Sequence, residues 1–102
     1  MQIKYKNISG NLTVYLYGEV DECSSVSLRQ ALDNLISSNP NSKKVIFDLS
    51  GVSFMDSTGI GLLIGRYKTL KQFNVPSYIS GTSAQTERVL SLAGIYSIMP
   101  KV

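Results

Sequence analysis

The sequence predicts one α/β domain over residues 1–102, in which a mixed sheet of four to five strands packs against helices. The predicted element order is β-β-α-β-α-β-α-β. This prediction rests on two β-prone runs at the start, followed by segments of helical periodicity that alternate with short apolar runs. The chain has 102 residues, of which 43% are hydrophobic and 17% charged. That is sufficient for a single core without disulfides or a second domain.

The first two strands are predicted at 3–8 and 12–17, where β-branched and aromatic residues are frequent. Ser9-Gly10-Asn11 lies between them and predicts a hairpin turn. The segment 18–22, Gly-Glu-Val-Asp-Glu, breaks the pattern and is expected to be a loop.

A helix is predicted at 25–38, capped by Ser24 or Ser25 and ended by Asn39-Pro40-Asn41. Its apolar positions recur at helical spacing and define one face. They are Leu28, Ala31, Leu32, Leu35 and Ile36.

The second half of the chain is expected to alternate strands and helices. The apolar run 43–49 predicts a strand buried on both faces, and 50–57 is expected to be mostly loop. A helix follows at about 58–73, then a short strand at 77–80. A third helix is predicted at about 84–93, capped by Thr82 or Ser83 and stopped by Gly94. Ile98-Met99 is expected to form a last edge strand.

Composition excludes several classes of function. There is no histidine and only one cysteine, Cys23, which excludes a Ser/His/Asp triad, a disulfide framework and the common zinc sites. We therefore expect a binding protein and not an enzyme, with no catalytic residues, metal or cofactor. The net charge of +3 comes from scattered residues, so we expect no direct nucleic-acid partner. No run is apolar enough to span a membrane or act as a signal peptide, which favours the cytoplasm and no membrane partner.

The most informative segment is Asp56-Ser57-Thr58-Gly59, where a strand leads through a loop into a helix. Ligand sites of α/β sheets gather at the carboxyl ends of strands. Ser57 stands where the helix begins, so its hydroxyl suits an N-cap. The same position suits phosphorylation, because a helix N-terminus tolerates negative charge. The residues alone leave both interpretations open.

The second predicted helix has two different faces. One is an apolar stripe that should face the sheet: Ile60, Leu63, Ile64, Tyr67 and Leu70. The opposite face is small and smooth, with Leu62 expected to be exposed: Thr58, Gly61, Leu62, Gly65 and Thr69. A solvent face usually carries charges, so we interpret this face as a docking surface for a protein partner. Coverage by a loop is the alternative. Arg66 and Lys68 are expected to face solvent.

The segment 52–61, Val-Ser-Phe-Met-Asp-Ser-Thr-Gly-Ile-Gly, closely resembles the signature of anti-sigma factor antagonists, which are STAS domains. The resemblance continues through Gly65-Arg66-Tyr67-Lys68. Gly18-Glu19-Val20-Asp21 resembles the family's Gly-Glu-Leu-Asp, and 91–95 resembles its glycine-containing turn. The motifs occur in order over nearly the whole chain, and 54–68 is most similar to the sporulation branch of the family.

The resemblance implies a partner switch that regulates transcription. The unphosphorylated antagonist binds an anti-sigma factor that is also a serine kinase, and the sigma factor is released. Phosphorylation of the serine that aligns with Ser57 ends binding, and a serine phosphatase resets the protein. Thr58 is the second candidate for the phosphorylated residue. The partner-binding residues implied are Asp21, Asp56, Thr58, Gly59, Gly61, Leu62 and Gly65.

Two alternatives remain from the sequence. The same kind of domain serves general-stress partner switches and stressosomes, and this chain does not identify its partner kinase. A small nucleotide-binding domain is the other alternative. The glycines of 59–65 have one residue too many for the G-x-G-x-x-G pattern, which argues against it.

Overall fold

The structure is a computed structural model that describes residues 2–102. Within this range a four-stranded mixed sheet has the strand order β1-β2-β3-β4. The β1–β2 pair is antiparallel, and β3 is parallel to both β2 and β4. The elements are β1 (Gln2–Ile8), β2 (Asn11–Val20), α1 (Ser25–Ser38), β3 (Lys44–Met55), α2 (Ser57–Gln72), β4 (Ser77–Ser80) and α3 (Ala84–Leu92), followed by a 3₁₀ turn, Ile95–Ser97.

The predicted hairpin is confirmed. Ser9 and Gly10 both have positive φ angles, 54° and 88°, as required at the two central residues of a type I′ turn. The Asn7 side chain accepts a hydrogen bond from the Gly10 N–H at 3.1 Å. This turn sets the β1–β2 register that pairs Ile8 with Asn11.

The core lies on one face of the sheet, between the sheet and the helices. Along β2 and β3 every second residue is buried and the residues between are mostly half-buried. The expectation that the third strand is buried on both faces was therefore wrong. The continuous apolar run arises because Ile46 also lies on the more open face. The buried strand residues are Leu12, Val14, Leu16, Val45, Phe47 and Leu49.

Two strands are longer than the sequence indicated. β2 continues through the predicted loop to Val20, and β3 continues through the predicted loop to Met55. The two strands remain paired as far as Val20 and Met55, with register shifts around Gly18. Gly18 has a φ of +94°, which a residue without a Cβ adopts at a bulge. Gly18, which predicted the end of the strand, therefore marks a bulge within β2.

The helix bounds were predicted well, but one cap and one core residue were wrong. α1 begins and ends as expected, and Asn39 caps its C-terminus. The Ser24 side chain makes no capping bond to the helix, because its hydroxyl donates to the Glu19 carbonyl. Ala31 is exposed, since α1 buries only its leucine stripe. α3 is capped by Ser83, which accepts from the Thr86 N–H.

The predicted strand at Ile98-Met99 is absent. Gly94 adopts a φ of +69° and ends α3, and a 3₁₀ turn follows at Ile95–Ser97. Ile95 in this turn and Met99 just after it are both buried in the core. The Met99 N–H donates to the Ile95 carbonyl at 2.9 Å, a local turn contact that an extended strand does not make. The last residues instead meet β4 in one isolated parallel bridge between Lys101 and Ile79. The Ile79 N–H donates to the Pro100 carbonyl, and the Ile79 carbonyl accepts from the Val102 N–H.

Glu87 of α3 joins the last part of the chain to the domain. Its Oε2 accepts hydrogen bonds of 2.6 Å from the Thr82 and Tyr96 hydroxyls, and Lys101 Nζ lies 3.1 Å away. The bond from Thr82, then the bond from Tyr96 and the charge of Lys101, lower the pKa of Glu87 to about 2. Burial and the bond to Glu87 raise the pKa of Tyr96 to about 12.

The Glu87 pKa predicts a pH dependence of stability. Because the folded-state pKa lies below the ordinary value of 4.5, Glu87 contributes stability above pH 4.5 that is lost as pH falls towards about 2. In urea unfolding from pH 6 to about 2, Glu87→Gln should lose less stability on acidification than the wild type. The exposed Glu22→Gln is the control and should retain the wild-type slope. A Glu87→Gln slope equal to that of the wild type would contradict the assignment.

Candidate functional site

The segment singled out in the sequence lies at the carboxyl end of the sheet. β3 ends at Met55, Asp56 follows it, and α2 begins at Ser57. The Asp56 N–H is 3.4 Å from the Val20 carbonyl at the end of β2. The β2–β3 pairing therefore fixes the position at which α2 begins.

Asp56, and not Ser57, is the N-cap of α2. Its backbone is extended, and its Oδ1 accepts from the N–H groups of Thr58 at 2.9 Å and Gly59 at 3.3 Å. The expectation that Ser57 caps the helix was wrong by one residue, because an aspartate caps as well as a serine. Ser57 is the exposed first residue of the helix. Within residues 2–102 its hydroxyl has no hydrogen-bond partner.

The glycines of α2 have different physical roles. A Cβ at Gly59 would stand 2.8 Å from the Val20 carbonyl oxygen and 2.7 Å from Met55 Cγ. Gly59 is therefore buried against the strand ends, and its role is packing. A Cβ at Gly61 or Gly65 would meet nothing within 4 Å. Neither of these two glycines is required for the packing of the domain itself.

Gln85 of α3 holds the end of β3 in place, a role that no motif in the sequence indicates. Its Oε1 accepts from the Met55 N–H at 3.2 Å, and its Nε2 donates to the Met55 carbonyl at 3.1 Å. β4 pairs with β3 only as far as Asp48, so Met55 has no strand on that side. The side-chain amide replaces the missing backbone partner directly before Asp56.

The face of α2 that was predicted to be smooth and exposed is partly covered. Leu62 is buried and was wrongly expected to be exposed. Arg66 is buried as well, where a solvent-facing side chain was expected, and its Nε lies 3.1 Å from Asp33 Oδ1 of α1. The reason is that α1 packs alongside α2, so α2 buries one side against the sheet and another against α1. Lys68 is exposed, as predicted.

A shallow groove remains between the two helices, and we call it the α1–α2 groove. It has a volume of about 280 Å³. Four predicted partner residues line it together with two residues of α1 and Arg66. The lining residues are Ser25, Arg29, Thr58, Gly61, Leu62, Gly65 and Arg66. The structure thus brings Thr58, Gly61, Leu62 and Gly65 together, although Leu62 forms the floor and not an exposed knob.

The other three predicted partner residues do not line this groove. Gly59 is buried, and the Asp56 carboxylate caps α2. The Asp21 side chain accepts from the Ser24 N–H at 3.1 Å, while the Asp21 N–H donates to the Ser24 hydroxyl. Asp21 is therefore half-buried in the turn that precedes α1, and its structural role is to hold that turn.

Two exposed apolar side chains near this end of the sheet were missed. Phe54 is 42% exposed at the end of β3, and Val26 is exposed in the first turn of α1. Phe54 precedes Ser57 at the end of β3. Val26 follows Ser25, which lines the α1–α2 groove together with Thr58. A break in the burial alternation of a strand is visible only in the structure, where Ser53 and Phe54 are both exposed.

The glycines of α2 do not form a phosphate-binding loop. Among residues 2–102 there is no group of three or more side chains that could hold a metal ion. The glycines of 59–65 lie inside α2, where their N–H groups are largely committed to helical hydrogen bonds and cannot form a phosphate-binding loop. In the same part of the chain, no helix has both the length and the apolar character needed to cross a bilayer.

Comparison with known proteins agrees with this architecture. The STAS domain family model matches residues 2–102. The anti-sigma F factor antagonist of Paenibacillus polymyxa is 31% identical over 98% of this chain and 85% of its own length. The anti-sigma-B factor antagonist of Staphylococcus epidermidis is 34% identical over 90% of this chain and 76% of its own.

A solved structure shows the same fold. The unphosphorylated form of the anti-sigma factor antagonist SpoIIAA superposes with a TM-score of 0.80 at 22% identity, and the match covers 99% of this chain and 88% of that one. The structure is therefore a single α/β domain of this fold, in which a capped helix, α2, follows the longest parallel strand, β3. The chain belongs to the STAS domain family, and its curated relatives are anti-sigma factor antagonists.

Substitution by alanine should have opposite effects on stability at the buried Gly59 and at the open Gly61. Gly59→Ala should lower the free energy of unfolding by roughly 1–3 kcal/mol, because the new methyl group meets backbone. Gly61→Ala should raise it by about 0.5–1 kcal/mol, because alanine favours the helix and the methyl group meets nothing. Urea unfolding measures both variants under the same conditions. Destabilisation of similar size in both would show that α2 packs differently.

Proposed function

We propose that the protein is an anti-sigma factor antagonist controlled by phosphorylation of Ser57. The unphosphorylated form binds an anti-sigma factor that is also a serine kinase, and the sigma factor is released. Phosphorylation by that kinase ends the interaction, and a serine phosphatase restores it. The carrying observation is the exposed, unbonded Ser57 hydroxyl beside a helix cap that does not depend on it.

Ser57 is a better phosphate acceptor than Thr58 on structural grounds. Thr58 is half-buried and lines the α1–α2 groove, and its N–H is held by Asp56. A kinase must place the hydroxyl oxygen in line with the γ-phosphate of ATP, which requires an accessible side chain. Ser57 meets that requirement without unwinding the first turn of α2.

The phosphate would act mainly through charge at the surface. It adds about −1.5 to −2 charges at neutral pH, and the neighbouring Asp56 carboxylate repels it. Asp56 already accepts from the N–H groups of Thr58 and Gly59, so these donors are not free to bind the phosphate. The new charge therefore faces the partner. Changing a complex from almost fully bound to almost fully free needs roughly 5.5 kcal/mol, which repulsion, desolvation and lost contacts together can supply.

The α1–α2 groove and the apolar residues near it form the docking surface in this proposal. Glycine inside a helix costs about 1 kcal/mol relative to alanine, yet Gly61 and Gly65 have open space where a Cβ would lie. Close approach of a partner explains two glycines that the domain does not need. Phe54 supplies an exposed apolar anchor, and Arg29 in the groove offers a charge for an acidic side chain.

Within the family we assign the chain to the sporulation branch, because 54–68 is most similar to it. A general-stress switch or a stressosome module is the second candidate, since antagonists of anti-sigma F and anti-sigma B factors both match the chain. Binding to the anti-sigma kinase of each type separates the two branches. These partners also imply action in the cytoplasm on transcription, without direct contact to nucleic acid or membrane.

Phosphorylation at Ser57 is tested by intact-mass spectrometry after incubation with ATP and the anti-sigma kinase. The wild type and Thr58→Val should each gain one phosphate, and Ser57→Ala should gain none. Thr58→Val is the matched control because it removes only the neighbouring hydroxyl. A phosphate retained in Ser57→Ala but lost in Thr58→Val would move the site to Thr58 and contradict the proposal.

The docking surface is tested by calorimetric titration of the kinase with Gly61→Gln. Because a side chain at Gly61 meets nothing in the domain, the variant should fold normally and weaken binding at least about tenfold. Lys68→Gln is the control, since Lys68 is exposed on the same helix but does not line the groove. Unchanged affinity of Gly61→Gln would place the interface elsewhere.

A further inference from the structure

A larger cavity lies at the opposite end of the domain from Ser57, and we call it the basal cavity. It has a volume of about 370 Å³ and is partly open to solvent. It lies between the C-terminal halves of α1 and α2, next to the first residues of β2 and β3. Most of its wall is apolar and comes from Leu12, Ile36, Val45, Leu70, Phe73 and Val75.

Arg66 is the one cationic residue that lines the basal cavity. The residue is only 8% exposed, and its Nε and Nη1 atoms have no hydrogen-bond partner among residues 2–102. Nε lies 3.1 Å from Asp33 Oδ1, so the two form an ion pair, but the geometry is not that of a hydrogen bond. A guanidinium group has five donors and remains charged, and leaving such donors buried without acceptors is costly.

We propose that the basal cavity binds a small amphiphilic anion, a carboxylate on an apolar chain, with its head group on Arg66. A carboxylate provides the oxygen acceptors that the guanidinium lacks and matches its planar donors. The apolar wall accepts the chain. Small-molecule sites combine mostly apolar walls with a few polar groups in this way, in volumes of roughly 300–1,000 Å³. The basal cavity is at the small end of that range, which favours a medium-length chain over a nucleotide or a folded partner.

Asp33 is the group that competes with this ligand. Its carboxylate also lines the cavity, and its side chain is 48% exposed, so it can turn towards water when an anion occupies Arg66. The incoming carboxylate takes the place of Asp33 beside the buried guanidinium, so the exchange leaves no buried charge unpaired. The displacement of Asp33 is therefore a small barrier to binding. Removal of the Asp33 charge should strengthen binding of an anion, whereas removal of the Arg66 charge should weaken it.

The inference does not depend on the proposed function. Arg66 lines both the basal cavity and the α1–α2 groove, but the basal cavity is formed at the amino ends of β2 and β3, whereas Ser57 follows the carboxyl end of β3. A test of ligand binding therefore needs neither the kinase nor phosphorylation. Its failure would leave the partner switch untouched, and failure of the partner switch would leave the cavity untouched.

The test is an NMR titration of the protein, labelled with ¹⁵N, with octanoate, 1-octanol and octylammonium. Octanoate should produce saturable shifts of the amides around the basal cavity. Octanol and octylammonium, which have the same chain with a neutral or cationic head, should bind at least about tenfold more weakly. Shifts confined to other surfaces, no saturation with octanoate, or equal binding of all three compounds would each overturn the proposal.

Three variants sharpen the result. Arg66→Met keeps the length and apolar stem of the side chain and should weaken octanoate binding roughly ten- to a hundredfold. Asp33→Asn should tighten it by up to about fivefold. Arg88→Met is the matched control, because Arg88 is exposed on α3 and does not line the basal cavity, and it should bind like the wild type. If Arg66→Met does not fold, the comparison of octanoate with octanol in the wild type still decides the question.

Discussion

The pairing of β2 with β3 is the interaction on which the site depends. The two strands remain paired, through two register shifts, as far as Val20 and Met55, beyond the point where the β3–β4 pairing ends. The Val20 carbonyl then receives the Asp56 N–H, and the same carbonyl leaves room only for glycine at position 59. Gln85 completes the outer edge of β3 at Met55. Shortening this ladder by two residues would release Asp56 and with it the start of α2.

Local chemistry was sufficient to predict the elements whose ends are set locally. The turn at Ser9-Gly10 has the positive φ angles that its sequence suggests, and the bounds of α1 follow from a leucine stripe and the Asn39-Pro40 stop. α3 was predictable because Ser83 caps it and Gly94 ends it. In each case the decisive contacts join residues within about one turn of each other, and such contacts can be inferred from spacing.

What could not be predicted depends on contacts between distant segments. Gly18 interrupts a strand pattern, and only its partner across the sheet shows that β2 continues past it. A helical wheel separates the two faces of α2 but does not say that α1 lies beside one of them, so Leu62 and Arg66 were assigned to solvent. Likewise, Asp56 and Ser57 are equally suitable caps by residue type. The extended backbone at Asp56 decides between them, and it is set by the long-range pairing of β3.

The local geometry also constrains how a switch at Ser57 can work. Asp56 holds the first turn of α2 without any contribution from the Ser57 hydroxyl, and that hydroxyl is exposed. A phosphate on Ser57 would therefore break no internal hydrogen bond, and a negative charge at a helix N-terminus is compatible with the helix. Because the Ser57 hydroxyl makes no contact that stabilises the fold, its phosphorylation would not unfold or rearrange the domain. In the switch that we propose, the difference in binding free energy between the two forms therefore arises at the surface of the bound partner, where the phosphate would be desolvated beside the Asp56 carboxylate.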